Sequence, residues 1–311
     1  MAAIETFALE KIYQVGFWRK AKKRALKPLT FAVPEGEVFG YLGPNGAGKT
    51  TTLRLLMGLV DPSGGSFKIL GGSISSSLIR SQIGFLPEQP YFYDYLTARE
   101  LLNYFATLSD VPAKDRTRRI EATLTRVGLA PDSWSTQLRK YSKGMLQRVG
   151  LAQAILHEPK LVILDEPMSG LDPMGRREVR DLIEELNHEG KTILFSTHIL
   201  SDAEALCDRV AVIANGELRG VGVVADLTAS VKGNVEVVWQ DANTVPAITA
   251  LGLQCHTVGE TVRATVPEAQ VDTVIDTLRA HNARLVSLTP VRTTLEDYFV
   301  ARLAVPAEES Q

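Results

Sequence analysis

Short, largely apolar runs alternate with longer amphipathic stretches between residues 37 and 214. Apolar strands of four to six residues are typical of parallel sheets that helices cover on both faces. The stretches between them have helical spacing. The one over 98–108 is opened by Thr97 as the expected N-cap, and Glu100 three residues later completes a capping-box pair. This pattern predicts an α/β fold with a mostly parallel sheet. The apolar runs are EVFGYL (37–42), LVIL (161–164), TILFS (192–196) and RVAVIA (209–214).

The pattern changes near residue 220. Beyond it, the predicted elements follow the order strand, helix, strand, strand, helix, strand, with a second helix over 267–282 and a final one over 294–303. This is the order of a small ferredoxin-like α+β sandwich. Residues 221–311 contain eleven acidic and six basic side chains, and the turn-rich segment NGELRGVG over 215–222 lies at the start of this region. We therefore predict a main domain over 1–220 and a small C-terminal accessory domain over 221–311.

Composition narrows the class of protein. The chain has 311 residues, 45% of them apolar and 23% charged, which is typical of a globular protein. Its net charge of −2 argues against nucleic-acid binding through bulk positive charge. Two cysteines cannot form a disulfide framework, the apolar runs are too short to span a membrane, and the N-terminus lacks a secretory pattern. We expect a cytoplasmic protein.

The segment GPNGAGKTT follows a predicted strand, precedes a predicted helix and matches the phosphate-binding pattern G-x-x-x-x-G-K-[ST]. Glycines permit the tight turn, and a helix N-terminus favours anions. Lys49 would supply positive charge to the β- and γ-phosphates, and the Thr50 hydroxyl would ligate Mg²⁺. The predicted nucleotide-binding residues of this P-loop are Gly43, Pro44, Asn45, Gly46, Ala47, Gly48, Lys49, Thr50 and Thr51.

Two carboxylates end the apolar run of LVILDEP. Open parallel sheets bind ligands at such strand ends, and neighbouring side chains on a strand point to opposite faces. Asp165 and Glu166 therefore suit different roles. We expect Asp165 to hold Mg²⁺, through water, and Glu166 to act as the general base that polarises the attacking water.

The segment YSKGMLQR, about 90 residues after the P-loop, resembles the signature of the ATP-binding cassette (ABC) family, usually written LSGGQ-x-QR. Over about residues 5–220 the chain is similar to the ATPase subunits of ABC transporters. The resemblance implies that Ser142 and Gly144, at the start of a helix, contact the γ-phosphate of ATP. The matching residues are Ser142, Gly144, Gln147 and Arg148, whereas Tyr141, Lys143 and Met145 depart from the commonest letters.

Further segments resemble other motifs of that family. SGLDP resembles the D-loop, which implies that Asp172 lies at a dimer seam. STH follows a predicted strand, which implies that His198 contacts the γ-phosphate. Tyr13 resembles the aromatic residue that stacks on adenine, with Phe17 and Trp18 close enough to compete for this role.

The segment IGFLPEQP resembles the Q-loop, but Glu88 stands where the family has glutamine, and Gln89 follows it. Either side chain is a candidate ligand of Mg²⁺ or of its bound water.

The adjacent PYFYDYL contains four aromatic residues within seven. Such a cluster suits a surface over 88–108 on which a permease would dock. The same residues could instead simply pack a helical subdomain over about 88–160.

The family mechanism implies ATP and Mg²⁺ bound between the P-loop of one subunit and the signature helix of another. It requires a second cassette, with a homodimer expected, and a membrane permease as a separate chain on whose cytoplasmic face the protein would lie. A single cassette followed by a small domain and TLEDYF is similar to type-2 ABC exporters. The alternatives are an importer ATPase or a soluble ABC ATPase that acts on nucleic acid or the ribosome.

The basic run RKAKKRALK has two further interpretations. Its six basic residues over 19–27 are suited to anionic lipid headgroups at the membrane surface. The same residues also suit a solvated hairpin between two early strands.

Overall fold

The computed structural model describes residues 1–15, 21–228, 230–292 and 294–304. Within these ranges the chain forms two compact units, Met1–Val224 and Ala225–Ala301. The strands of the first unit are β1 (Ala2–Val15), β2 (Ala21–Leu29), β3 (Ala32–Pro34), β4 (Val38–Leu42), β5 (Gly64–Ile69), β6 (Ile83–Leu86), β7 (Leu161–Asp165), β8 (Thr192–Thr197), β9 (Arg209–Ala214) and β10 (Glu217–Val223).

Helices fill the intervals between these strands. They are α1 (Lys49–Leu56), α2 (Ser77–Arg80), α3 (Ala98–Leu108), α4 (Ala113–Arg126), α5 (Lys143–Ile155), α6 (Pro173–His188) and α7 (Leu200–Leu206), with short 3₁₀ turns at Pro131–Ser133 and Leu138–Lys140. A one-turn helix, α8 (Val224–Leu227), follows β10.

A six-stranded sheet has the order β10-β9-β4-β8-β7-β6. Strands β9, β4, β8, β7 and β6 run parallel, and β10 pairs antiparallel with β9. Every residue of β4, β7 and β8 is buried, as the apolar runs predict. Because β4, β8 and β7 are neighbours, the residues that follow their carboxyl ends lie at one edge of the sheet.

An antiparallel sheet, in which β1 pairs with β2, β3 and β5, forms the second layer of this unit. Helix α1 lies within a hydrophobic core that both sheets share, since Leu53 and Leu56 cluster with Ile4 of β1 and Phe39 of β4. This shared core holds the beginning of α1 against the parallel sheet.

Helices α3, α4 and α5 form the segment between β6 and β7. Thr97 and Glu100 make the predicted capping box: Glu100 N donates to Thr97 Oγ1 at 3.2 Å, and Thr97 N donates to Glu100 Oε2 at 2.8 Å. The pKa of the Glu100 carboxyl is lowered because Thr97 donates to it from both its backbone N–H and its hydroxyl. The bounds of α3, Ala98–Leu108, are those that the sequence predicts.

None of the helices in the described residues is long and apolar enough to cross a membrane.

The second unit has the predicted order β-α-β-β-α-β. Its antiparallel sheet has the order β12-β13-β11-β14, with a core that includes Trp239, Val262 and Leu278. The predicted helix start at Pro267 is wrong, because Pro267 pairs with Asn234 at the end of β13. The elements are β11 (Ser230–Gln240), α9 (Val245–Thr249), β12 (Cys255–Val258), β13 (Thr261–Pro267), α10 (Val271–Ala280), β14 (Arg284–Arg292) and α11 (Leu295–Ala304), with 3₁₀ turns at Ala242–Thr244 and Glu268–Gln270.

Candidate active site

The P-loop connects the end of β4 to the beginning of α1. Gly46 and Gly48 have φ angles of 80° and 111°, in the left-handed region that favours glycine. Gly43 passes so close to the backbone of Ile213 that a side chain there would collide with it. No side chain caps the first turn of α1, so its N–H groups are available to an anion.

Lys49 crosses from the P-loop to the end of β7. Its side chain is only 6% exposed, and its ammonium donates to the carbonyl oxygen of Gly43 at 2.7 Å. The same nitrogen lies 3.1 Å from Glu166 Oε1 in an ion pair. The positive charge is therefore fixed between the loop and the acidic strand end.

The hydroxyl of Ser196 in β8 links the side chain of Asp165 to the backbone of Glu166. This hydroxyl donates to Asp165 Oδ1 at 2.6 Å and accepts from Glu166 N at 3.0 Å. Asp165 is 1% exposed, and this burial raises the pKa of its carboxyl, while hydrogen bonds from Ser196 and Thr50 oppose the rise. Thr50 and Asp165, which the sequence analysis assigns to Mg²⁺, are thus adjacent.

Glu166 adopts a left-handed backbone conformation with a φ of 49°. Residues with side chains rarely adopt this conformation, and where they do, the surrounding structure must enforce it. The side chain is buried, with Oε1 at Lys49 and Oε2 2.9 Å from His198 Nδ1. His198 itself is exposed, so it faces outward from a buried carboxylate.

A cavity of about 810 Å³ opens at this edge of the sheet. The predicted residues that line it are Tyr13, Pro44, Asn45, Gly46, Gly48, Lys49, Thr50, Thr51, Glu88, Glu166 and His198. The predicted residues that do not line it are Gly43, Ala47, Gln89, Ser142, Gly144, Asp165 and Asp172.

The aromatic and Q-loop candidates differ in where they lie. Tyr13 lines the cavity, and the ammonium of Lys11 sits 5.0 Å from its ring centre. The competing Phe17 and Trp18 fall outside the described residues. Glu88 lines the cavity, whereas Gln89 is exposed and does not.

The signature segment lies away from this cavity. Ser142 is exposed and caps α5, because its hydroxyl accepts from Met145 N at 3.3 Å. Asp172 is likewise exposed and caps α6, accepting from Gly175 N at 2.9 Å. Gln147 is buried and donates to the carbonyl oxygen of Pro167 at 2.9 Å. The signature helix is thereby attached to the loop that follows Glu166.

Six residues of the cavity lining were not singled out as site residues from the sequence. Two of them, Asn215 and Gly216, form the turn between β9 and β10, in a segment whose turn residues indicate a domain boundary. Gly216 N donates to the carbonyl oxygen of Ala47 at 2.9 Å, and Lys27 N donates to Gly216 O at 2.7 Å. The turn therefore supports the P-loop. The six residues are Lys23, Arg24, Ala25, Ser169, Asn215 and Gly216.

Comparisons with known proteins agree with this geometry. The family model described as ABC transporter matches residues 26–169. An uncharacterized ABC transporter ATP-binding protein of Synechocystis sp. is 46% identical over 303 residues, which cover 96% of this chain and 84% of that protein. The bacitracin transport ATP-binding protein BcrA of Bacillus licheniformis is 41% identical over 218 residues, covering 69% of this chain and 68% of BcrA.

One solved structure to which the chain is similar contains a bound nucleotide. It is the dimeric post-hydrolysis state of the ATP-binding cassette MJ0796 bound to ADP and Pi. That chain is 25% identical, with a TM-score of 0.66, and the match covers 71% of this chain and 98% of that one. The P-loop cavity, the acidic strand end and these similarities lead to one conclusion: the chain belongs to the ATP-binding subunits of ABC transporters, a family of ATPases.

Proposed function

We propose that the protein hydrolyses Mg²⁺-ATP at the P-loop cavity within a head-to-tail dimer, and that this drives substrate export through a separate membrane permease. The observation that carries the proposal is the position of Glu166. Its two carboxylate oxygens are held by Lys49 and His198 at the cavity that the P-loop lines. A fixed carboxylate beside a phosphate-binding loop is suited to activate water.

Each residue of this arrangement has a distinct task in the proposal. The N–H groups of α1 and the ammonium of Lys49 bind the β- and γ-phosphates of ATP. Since Lys49 is also the ion-pair partner of Glu166, a bound phosphate competes for the ammonium and frees Glu166 Oε1 to accept a proton from water. His198 keeps the other oxygen in place and contacts the γ-phosphate.

The donor atoms at the cavity fit Mg²⁺. Thr50 and Glu88 line the cavity, and the Thr50 hydroxyl shares a hydrogen bond with the buried carboxylate of Asp165. All three side chains offer hard oxygen ligands. In the described part of the chain, no cluster of three or more His, Cys, Asp or Glu side chains is arranged to hold a metal. When bound, Mg²⁺ would neutralise charge on the β- and γ-phosphates.

The positions of Ser142, Gly144 and Asp172 support the dimer. These three residues, which we call the signature face, lie outside the cavity of their own chain. The exposed N-terminus of α5 suits a γ-phosphate presented by a second copy. The solved cassette MJ0796 is dimeric, which supports pairing of two cassettes. In the dimer that we propose, ATP lies between the P-loop of one subunit and the signature face of the other.

A groove in the helical segment supports a permease partner. It has a volume of about 480 Å³ and includes the exposed aromatic residues Tyr91, Tyr93 and Tyr95. Exposed aromatic residues are enriched at protein interfaces. We propose that the permease docks here and holds the protein at the cytoplasmic face of the membrane. Export is supported by the single cassette followed by a small unit, and BcrA is named for bacitracin transport.

The test is ATP-dependent dimerisation of the Glu166→Gln variant, measured by light scattering with and without Mg²⁺-ATP. The amide keeps the shape of the side chain but cannot act as a base, so we expect the closed dimer to accumulate and hydrolysis to fall about 100-fold or more. Glu184→Gln is the matched control, because Glu184 is an exposed residue of α6 away from the cavity. Hydrolysis at the wild-type rate would contradict the role of Glu166. Intact ATP binding without dimerisation would contradict pairing of identical subunits.

A further inference from the structure

The β1–β2 hairpin places a lysine next to the aromatic ring of the cavity. In the register of this antiparallel pair, Lys23 lies directly opposite Tyr13. Directly opposite residues project from the same face of a sheet, and both of these residues line the cavity. Lys22 lies opposite Gln14, so it projects from the other face and does not line the cavity.

The position of Lys23 along β2 is intermediate between Tyr13 and the P-loop. Ala25, two residues further along the strand, also lines the cavity, and its carbonyl oxygen is 3.0 Å from the position of a Cβ built on Gly48. Two residues of an antiparallel strand span about 7 Å. A nucleotide with its base on Tyr13 and its terminal phosphates in the P-loop would place its ribose and α-phosphate near Lys23.

The charge of Lys23 is uncompensated within the described residues, where it forms no ion pair. Its basic neighbours differ: Arg24 lies 3.5 Å from Glu10, and Lys27 lies 3.0 Å from Glu217. The cavity therefore contains, in addition to Lys49, an exposed ammonium that is available to a polyanion.

We propose that Lys23 binds the α-phosphate of the nucleotide, an inference that rests on the proposed function and on the adenine stacking expected at Tyr13. Because AMP, ADP and ATP share this phosphate, Lys23 increases the affinity for all three. Lys49, by contrast, acts on the β- and γ-phosphates. The basic run over 19–27 thereby takes part in nucleotide binding through Lys23, the lysine that lies opposite Tyr13.

The test is displacement of a fluorescent ADP analogue (methylanthraniloyl-ADP) by AMP, ADP and ATP from the full-length protein at low salt. We expect Lys23→Ala to weaken the binding of all three competitors about three- to fivefold, the upper range for an exposed charge pair. Lys23→Arg should bind like the wild type, because it keeps the charge. Lys22→Ala should also bind like the wild type, and the loss in Lys23→Ala should shrink in 0.5 M salt.

Three results would overturn the assignment. They are unchanged affinities in Lys23→Ala, an equal loss in Lys22→Ala, and a loss confined to ADP and ATP, which would place Lys23 at the outer phosphates. Lys49→Ala separates this proposal from the function on which it rests. If the wild type binds no nucleotide, or if Lys49→Ala binds as well as the wild type, the proposed function fails. If only Lys49→Ala loses affinity, the assignment of Lys23 alone fails.

Discussion

Two regions carry the motifs of this ATPase, and they differ in how they are built. The P-loop face, which comprises residues 43–51 with Asp165, Glu166 and His198, is joined by hydrogen bonds and ion pairs between separate strands. Its two carboxylates and Lys49 are buried. On the signature face, Ser142 and Asp172 are exposed. The Ser142 hydroxyl accepts a hydrogen bond from the first turn of α5, and the Asp172 carboxylate accepts one from the first turn of α6.

This difference indicates what each face needs in order to act. The parallel sheet assembles the P-loop face within one chain, because neighbouring strands end at the same edge. On the signature face, by contrast, α5 presents its N-terminus outward, with Ser142 exposed. One chain is therefore equipped to bind a nucleotide, whereas the proposed hydrolysis requires a second.

The largest expected effect separates nucleotide binding from turnover. Lys49→Ala removes the ammonium from the P-loop and leaves Glu166 buried without its ion-pair partner, so we expect ATP affinity to fall about 100-fold. Ser142→Ala should leave the ATP affinity of the isolated subunit unchanged but lower hydrolysis about 100-fold. Calorimetric ATP binding and phosphate release measure the two quantities. A comparable loss of affinity in both variants would contradict the division between the faces.

The next effect concerns stability. Ser196→Ala removes a buried hydroxyl that bonds Asp165 Oδ1 and Glu166 N, so we expect the free energy of unfolding to fall by about 2–4 kcal/mol. The matched change on the signature face, Ser142→Ala, removes one exposed helix cap and should cost about 1 kcal/mol. Urea denaturation of both variants gives the comparison. Equal costs would show that the P-loop face is no more tightly bonded than the signature face.

The smallest effect separates two roles of Asp172. Asparagine caps helices about as well as aspartate, so Asp172→Asn should change the free energy of unfolding by no more than a few tenths of a kcal/mol, whereas Asp172→Ala should cost about 1 kcal/mol. At the dimer seam, loss of the carboxylate charge should also lower the ATP-dependent dimer fraction of Asp172→Asn. Chemical denaturation and light scattering measure the two quantities. If the asparagine variant dimerises normally and only the alanine variant is impaired, Asp172 acts through the cap alone.

The P-loop and the acidic strand end could be located from the sequence because both follow buried apolar strands. An uninterrupted apolar run is a local signal, and the parallel arrangement brings the ends of such runs together. The capping box at Thr97 and Glu100 is also local, which is why α3 has the predicted bounds. Pro267 gave the wrong helix start, because a proline that ends a strand has the same local sequence appearance as one that opens a helix.

The residues that were missed depend on contacts between distant parts of the chain. Lys23 lines the cavity because the strand register places it opposite Tyr13. Gly216 lies beside the P-loop because it bonds to Ala47. The hydroxyl of Ser196 joins two residues that precede it by about 30 positions. Such pairings have no signature in a single sequence, since the spacing between the partners is set by the fold.

The turn at Asn215 and Gly216 also limits how small an autonomous nucleotide-binding fragment can be. A fragment truncated after Ala214 would retain every recognisable family motif. It would nevertheless lose the N–H that bonds Ala47 and the carbonyl that bonds Lys27, and the P-loop would lack its neighbour. No other residue type replaces Gly216 easily, because its φ is 74° and a Cβ there would lie 2.6 Å from the carbonyl oxygen of Ala25. A minimal cassette made for biochemical work must therefore extend past Gly216, into β10.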